Sequence, residues 1–236
     1  MNVQTEIDPV AMAYASQRFV YFDIETIPCQ DEDYRLTLAR KVRAPATFKN
    51  PESIEKWLDE NRDSAADEAM GKTSFDGGRG HVCTISWAKN DSGIETRHAK
   101  TVSEERQVIA DFFADLDPYH AETLVGHNIT GFDIQFLKKR AVCLGIKMPA
   151  ANKFPRDPKP WDKSVADTMG MWAGGTGKVS MDNLCAILGI KGKDGFDGSM
   201  VAEAWANGEH DTITEYCADD VWRTREIHKR FLAAGY

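Results

Sequence analysis

Apolar residues recur along this chain at two spacings, and the changes between them divide it into strands and helices. Phe19–Ile24 (FVYFDI) is dense in β-branched and aromatic residues and runs into a polar, proline-containing segment, which predicts a buried first strand ending there. Strand character returns over His81–Lys89 and over Ile94–Lys100, and the turn residues Asn90-Asp91-Ser92-Gly93 between them predict a hairpin. From Pro28 to Gly80 the pattern is polar and mixed in charge, with helical pieces at Asp33–Val42 and Pro51–Met70. Residues 28–80 are therefore expected as an insertion between the first and second strands, and residues 1–18 as a loose N-terminal arm.

Beyond this, helix and strand alternate. Ser103, with Glu105 and Arg106 behind it, opens an amphipathic helix carrying Val108, Ile109, Phe112, Phe113 and Leu116, and Thr123–Val125 is a short buried strand. A helix over Gly131–Leu144, a loop over Pro149–Pro160, a strand over Ser164–Met169 and helices over Met181–Leu188, Ser199–Ala206 and Asp211–Ala233 follow. With no internal repeat and no linker between two cores, the expected architecture is a single α/β domain over 1–236. Its mixed sheet is led by an antiparallel meander and flanked by helices.

Composition changes this picture mainly through charge. Hydrophobic residues at 42% and charged residues at 28% are ordinary for a globular chain of 236 residues. The net charge of -8 excludes a protein that binds nucleic acid through bulk positive charge alone, but not an enzyme that works through bound metal. Between Lys138 and Lys193 eleven Lys/Arg stand against four Asp, a local excess of +7 that leaves -15 for the remainder. This stretch is either a phosphate-facing side or a solvated surface, and Phe154, Trp161 and Trp172 within it are either base-stacking or core aromatics. The five cysteines are scattered without zinc-ligand spacing, as expected of reduced, mostly buried thiols in a cytoplasmic protein. No run approaches the ~20 apolar residues of a membrane span and no export signal opens the chain, so no membrane partner is expected.

Three acidic motifs remain. Strand alternation puts Asp23 and Glu25 on one face, where paired carboxylates need a cation and hard oxygen ligands favour Mg²⁺ or Mn²⁺; taken alone, such a pair is more often a polar strand terminus. In Gly126-His127-Asn128-Ile129-Thr130-Gly131-Phe132-Asp133, Thr130 could cap the following helix with Asp133 completing a capping box. Helical stepping instead puts Asp133 between Phe136 and Leu137 on the buried side, together with Arg140. In the last helix Ile213, Cys217, Thr224, Ile227 and Phe231 form one stripe with Asp220 at its centre, Tyr216 on the same side and Asp219 pointing away. A carboxylate inside a core-facing stripe needs a partner charge or a metal.

In chain order, Phe22-Asp23-Ile24-Glu25-Thr26, His127-Asn128 with Phe132-Asp133, and Tyr216-Cys217 with Asp220-Val221 resemble the DEDD superfamily of 3′-to-5′ exonucleases, tyrosine subclass. The likeness is nearest to stand-alone relatives of the proofreading domain of B-family DNA polymerases. Glu215, five residues before Asp220, departs from the histidine subclass. The resemblance implies an RNase H-like fold and a two-metal phosphodiester hydrolase using Mg²⁺ or Mn²⁺ and releasing 5′-mononucleotides. It implies that Asp23, Glu25 and Asp220 hold the metals, that Asp133 completes the site directly or through water, and that Tyr216 positions the attacking water. Thr26, Asn128 and Phe132 would contact substrate.

The implied partner is a nucleic-acid 3′ end, taken as DNA by family likeness and as single-stranded or frayed. With no room for a polymerase domain in 236 residues, proofreading would act in trans, with a polymerase or repair partner left unnamed. A haloacid-dehalogenase-like phosphatase is the competing enzyme, since it also opens on an Asp-x-Asp-x-Thr strand end. It uses Asp where this chain has Glu25, and Asp219-Asp220 lies within a helix. A non-catalytic nucleic-acid-binding scaffold is the third reading, and it gives no reason to gather like charges.

Overall fold

A computed structural model describes residues 17–236 apart from Pro118, Pro160, Trp161 and Asp194. The expected N-terminal arm, save its last two residues, and Trp161 lie outside these. Five strands form one sheet in the order β3-β2-β1-β4-β5, with β1 at Phe19–Ile27, β2 at His81–Lys89, β3 at Glu95–His98, β4 at Thr123–Gly126 and β5 at Val165–Asp167. The β1–β2 and β2–β3 pairs are antiparallel, and β1–β4 and β4–β5 are parallel, so the expected meander leads a mixed sheet of RNase H-like order.

Strand alternation divides β1 between two cores. Val20, Phe22 and Ile24 pack beneath helix α3 (Glu105–Asp115) and helix α4 (Asp133–Leu144), with Ile109, Phe112, Ile134 and Leu137. Phe19 and Tyr21 face Val221 of the last helix, α8 (His210–Ala233), on the opposite side. Helices α5 (Thr168–Ala173), α6 (Met181–Leu188) and α7 (Val201–Ala206) complete that second layer.

Between β1 and β2 the chain leaves the sheet as α1 (Glu32–Lys41) and α2 (Pro51–Gly71), closing in a 3₁₀ turn at Lys72–Phe75. The turn is pinned to the end of β1: Thr26 Oγ1 donates to the Ser74 carbonyl at 2.8 Å, and the Cys29 N–H donates to Thr73 Oγ1 at 2.8 Å. Gly80 is needed there, because a Cβ would lie 2.4 Å from the Thr73 carbonyl oxygen.

Several elements differ from their sequence-based limits. β1 does not stop at Ile24: it continues through Ile27 with a bulge between Glu25 and Thr26, so the acidic pair sits inside the strand. Ser103 is not a cap; Glu104 precedes α3, and its carboxylate receives the Lys100 and Thr101 N–H groups. Thr130 is not a cap either, because α4 begins after Phe132 with no side-chain cap and the Thr130 hydroxyl donates to Asp167 at 2.6 Å. The end of the expected fifth strand is helix α5, which Asp167 caps through the N–H groups of Met169 and Gly170.

Candidate active site

The acidic residues come from three elements that meet at the second half of β1. Asp23 and Glu25 share the β1 face that looks toward α8, held in register opposite Ser86 and Thr84. Asp133, in the first turn of α4, is buried and accepts the Ile24 N–H at 3.2 Å, so it sits against the backbone between the two. Asp220 is buried in the middle of α8, while Asp219 is exposed, as the helical stripe predicts. Tyr216, one turn before Asp220, packs edge-on against Phe196 at 5.0 Å.

Charge is poorly balanced in this cluster. Burial pushes the Asp23 carboxyl well above its usual range, and repulsion from Glu25, Asp133 and Asp220 adds to it against the opposing pull of Lys193. Burial does the same to Glu25, with Asp220 and Asp133 adding and Lys193 opposing. Burial raises Asp133 to about 7 even though backbone N–H groups pull it down. The Tyr216 phenol is also raised, by burial and then by Asp220, Glu25 and Asp23, which keeps it protonated at neutral pH.

Two cations outside the predicted site, Lys193 and Arg223, partly answer this charge. Lys193 Nζ lies 2.9 Å from Asp220 Oδ2 and also donates to the Tyr216 hydroxyl. Arg223 Nη1 lies 2.9 Å from Asp220 Oδ1, and its other nitrogens reach the carbonyls of Lys191 and Gly192. Arg223 could have been read from its i+3 position after Asp220. Lys193 could not, since a loop brings it in. Both Asp220 oxygens are thus engaged by cations, whereas Asp23 and Glu25 offer oxygens that, with Cys217 Sγ, lie within 4.8 Å of one another.

Cys217 decides what kind of cation this donor set suits. Its thiol sits 3.5 Å from the Asp23 carbonyl oxygen and 3.6 Å from Oδ2, and burial with the charges of Asp23 and Glu25 holds it well above the ordinary thiol range. With the thiol neutral and directed at Asp23, the unengaged donors are the carboxylate oxygens of Asp23 and Glu25, hard ligands that fit Mg²⁺ or Mn²⁺.

The β4–α4 loop brings the remaining candidates. Asn128 has a left-handed φ of 66°, and its N–H donates to Asp167 Oδ1 at 2.8 Å while the Thr130 N–H reaches Oδ2 at 3.0 Å. Asp167, counted in the sequence only as one charge of a basic stretch, therefore shapes the loop that carries Asn128 and Phe132. Gly126 precedes it at a point where a Cβ would lie 1.9 Å from Ile129 Cγ2. Phe132 packs edge-on against Phe75 of the 3₁₀ turn at 6.4 Å, and Phe75 is 74% exposed. Thr26 is turned away from the cluster, toward the Ser74 carbonyl.

The basic stretch does not form one face. Arg140 is buried against Glu105, Lys139 pairs with Asp76, and Lys153 and Arg156 donate to backbone carbonyls. Phe154 is fully buried beside Phe113 in the core, which rules it out as a base-stacking surface. Trp172 is partly exposed and packs on Phe231.

An RNase H-like sheet with carboxylates gathered from its first strand and two helices defines the class of protein. Residues 80–234 match the family described as predicted 3′-5′ exonucleases related to the exonuclease domain of PolB, and the chain belongs to this family. Asn128, Phe132, Asp133, Tyr216 and Asp220 lie within the match, whereas Asp23 and Glu25 precede it. DNA polymerase 1 of Pyrococcus abyssi is 25% identical over 182 residues, covering 65% of this chain and 23% of that protein. The DNA polymerase of Pyrococcus glycovorans is 25% identical over 168 residues, covering 62% and 20%. The chain thus spans less than a quarter of these relatives. The family B DNA polymerase from the hyperthermophilic archaeon Pyrobaculum calidifontis superposes with a TM-score of 0.60 at 18% identity, over 92% of this chain and 24% of that one. The family sets aside the phosphatase reading. Among the described residues no helix is long and apolar enough to cross a membrane.

Proposed function

We propose that this chain is a metal-dependent 3′-5′ exonuclease of the tyrosine subclass that removes 5′-mononucleotides from the 3′ end of DNA. One observation carries the reading: four carboxylates from β1, α4 and α8 converge in a chain of this family, Glu25, Asp133 and Asp220 buried and Asp23 half-buried, and burial with mutual repulsion holds Asp23, Glu25 and Asp133 above their ordinary range. Asp23, Glu25, Asp133 and Asp220 would hold two divalent cations. When bound, such ions stabilise charge on the attacking and leaving oxygens of a phosphodiester and ease deprotonation of water.

The chain's own groups supply the rest. Tyr216, kept as a neutral phenol, orients the attacking water by hydrogen bonding and does not act as a base. Lys193, which already bridges Tyr216 and Asp220, holds that phenol in place and sets a positive charge beside the scissile phosphate. Phe132 and Phe75 form an aromatic wall beside Asp133 on which terminal bases can stack.

The test is digestion of 5′-labelled DNA and RNA oligonucleotides in Mg²⁺ or Mn²⁺. A ladder shortening from the 3′ end is expected, with DNA preferred, and Asp23→Asn should slow it by about 10²-fold or more. Endonucleolytic products, polarity from the 5′ end, or full activity in Asp23→Asn would overturn the proposal.

A further inference from the structure

The arm formed by α1 and α2 lies outside the residues matched by the family, yet its base abuts the candidate active site. Its charge is sharply divided. From Tyr34 to Pro51 there are five Lys/Arg and no acidic residue. Arg35 is used internally, bonded to Asp67 of α2. The other four, Arg40, Lys41, Arg43 and Lys49, are exposed, and none forms an ion pair among the described residues. Arg43 donates only to the carbonyls of Arg40 and Val42. Phe48, 36% exposed, stands among them with its ring 6.4 Å from that of Trp57. Below Glu52 in its first turn, α2 is net acidic, with Glu55, Asp59, Glu60, Asp63, Asp67 and Glu68 against Lys56 and Arg62.

The length of α2 sets the reach. Its 21 residues rise about 30 Å at 1.5 Å per residue. Its C-terminal end leads into the 3₁₀ turn whose Ser74 carbonyl bonds Thr26, the residue after Glu25, and whose Phe75 touches Phe132. The basic tip is therefore held at a distance on a base fixed by Thr26, Cys29 and the stacking of Arg79 on Tyr34 at 4.0 Å. At about 3.4 Å per nucleotide step, that reach corresponds to roughly nine nucleotides of stacked strand.

We propose that the α1–α2 tip is a phosphate-binding surface that grips the nucleic-acid backbone well upstream of the 3′ end occupying the carboxylate cluster. Four unpaired cations without an acid among them match a polyphosphate chain, and Phe48 offers a face for a base. The acidic shaft repels phosphates, so contact is confined to the tip and to substrates long enough to reach it. The inference rests on the proposed exonuclease reading for its substrate class, and it assigns a task to an arm that lies outside the residues the family matches.

The test compares the full chain with the Arg40→Ser, Lys41→Ser, Arg43→Ser, Lys49→Ser variant, both in an Asp23→Asn background. Binding of single-stranded DNA of about 6 and about 24 nucleotides is measured across a salt series. All four positions are exposed, and a thermal melt checks folding; if the quadruple variant unfolds, Lys41→Glu with Lys49→Glu replaces it. The long strand should lose about 10-fold or more in affinity at low salt, with a salt slope shallower by about 2 to 3, while the short strand binds equally to both. Equal affinity and slope on the long strand, or equal losses on both lengths, would overturn the proposal, the former leaving the tip free for an acidic protein. Hydrolysis of a mononucleotide p-nitrophenyl phosphodiester by the chain with Asp23 restored separates the two claims. Tip variants should match wild type there, and a wild type inert on that ester and on oligonucleotides would sink the exonuclease reading without touching the binding result.

Discussion

Two buried ionic clusters lie on either side of β1 and β2, and they are solved in opposite ways. Glu105, fully buried at the start of α3, receives Arg140 Nε at 2.8 Å and Nη2 at 2.7 Å, the Val82 N–H at 2.8 Å and His81 Nδ1 at 3.0 Å. Burial alone would raise its pKa, but those hydrogen bonds outweigh burial and hold the carboxyl below its usual range. At the other cluster, burial and repulsion win, and Asp23, Glu25 and Asp133 are all raised. Both clusters are enclosed, so burial itself does not mark function. A carboxylate satisfied by its neighbours ties α3, α4 and β2 together; carboxylates left short of positive charge are what the proposed cation site requires.

Breaking the balanced cluster should give the largest change in stability. Arg140→Met leaves Glu105 buried without its guanidinium, which costs about 3–5 kcal/mol, or about 10 °C in melting temperature for a chain of this size. The proposed exonuclease activity should persist per folded molecule. Adding Glu105→Gln should recover much of the loss, and a thermal melt of single and double variants checks both points. If Arg140→Met melts like wild type, the two clusters do not differ in the way described.

At the unbalanced cluster the sign reverses. The Asp133 pKa is raised from an ordinary 3.8 to about 7, so the stability it contributes is present below about pH 4 and is lost as pH rises through about 7. Asp133→Asn removes that penalty while keeping an oxygen for the Ile24 N–H. Without metal, the variant should therefore exceed wild type by up to about 4 kcal/mol at pH 8, the full cost of that rise in pKa, and match it near pH 4. His98 and His228, lowered to about 4 by burial, cost stability below pH 6.5 in both proteins and cancel in the difference. Paired melts across this range sharpen the comparison. A variant less stable than wild type at pH 8 would mean that Asp133 is satisfied where it sits.

Much of this contrast was legible in the sequence wherever an element was long. The α8 stripe placed Asp220 inward and Asp219 outward because 24 residues of periodicity average out local exceptions. Asp133 and Arg140 both fell on the buried side of α4, but stepping around a helix cannot say that one would find Glu105 and the other would not. Short elements failed for physical reasons. Thr130 looked like a cap until Asp167, 37 residues away, supplied a stronger acceptor for its hydroxyl. The six residues of α5 carry too few apolar positions to separate a helix from the tail of a strand. β1 outran its expected end because antiparallel pairing with β2 continues across a bulge that no local pattern announces. Lys193 reaches Asp220 and Tyr216 through a loop, and periodicity carries no information there.

The central claim is that the charge-deficient carboxylates form a cation site. Calorimetric titration of Mn²⁺ into the protein at pH 7, in two buffers of different ionisation enthalpy, tests it most directly. Saturable binding with proton release is predicted, because carboxyls raised toward neutrality must give up protons as the cation enters, and Asp23→Asn should abolish it. No binding at millimolar Mn²⁺, or identical binding in Asp23→Asn, would contradict it.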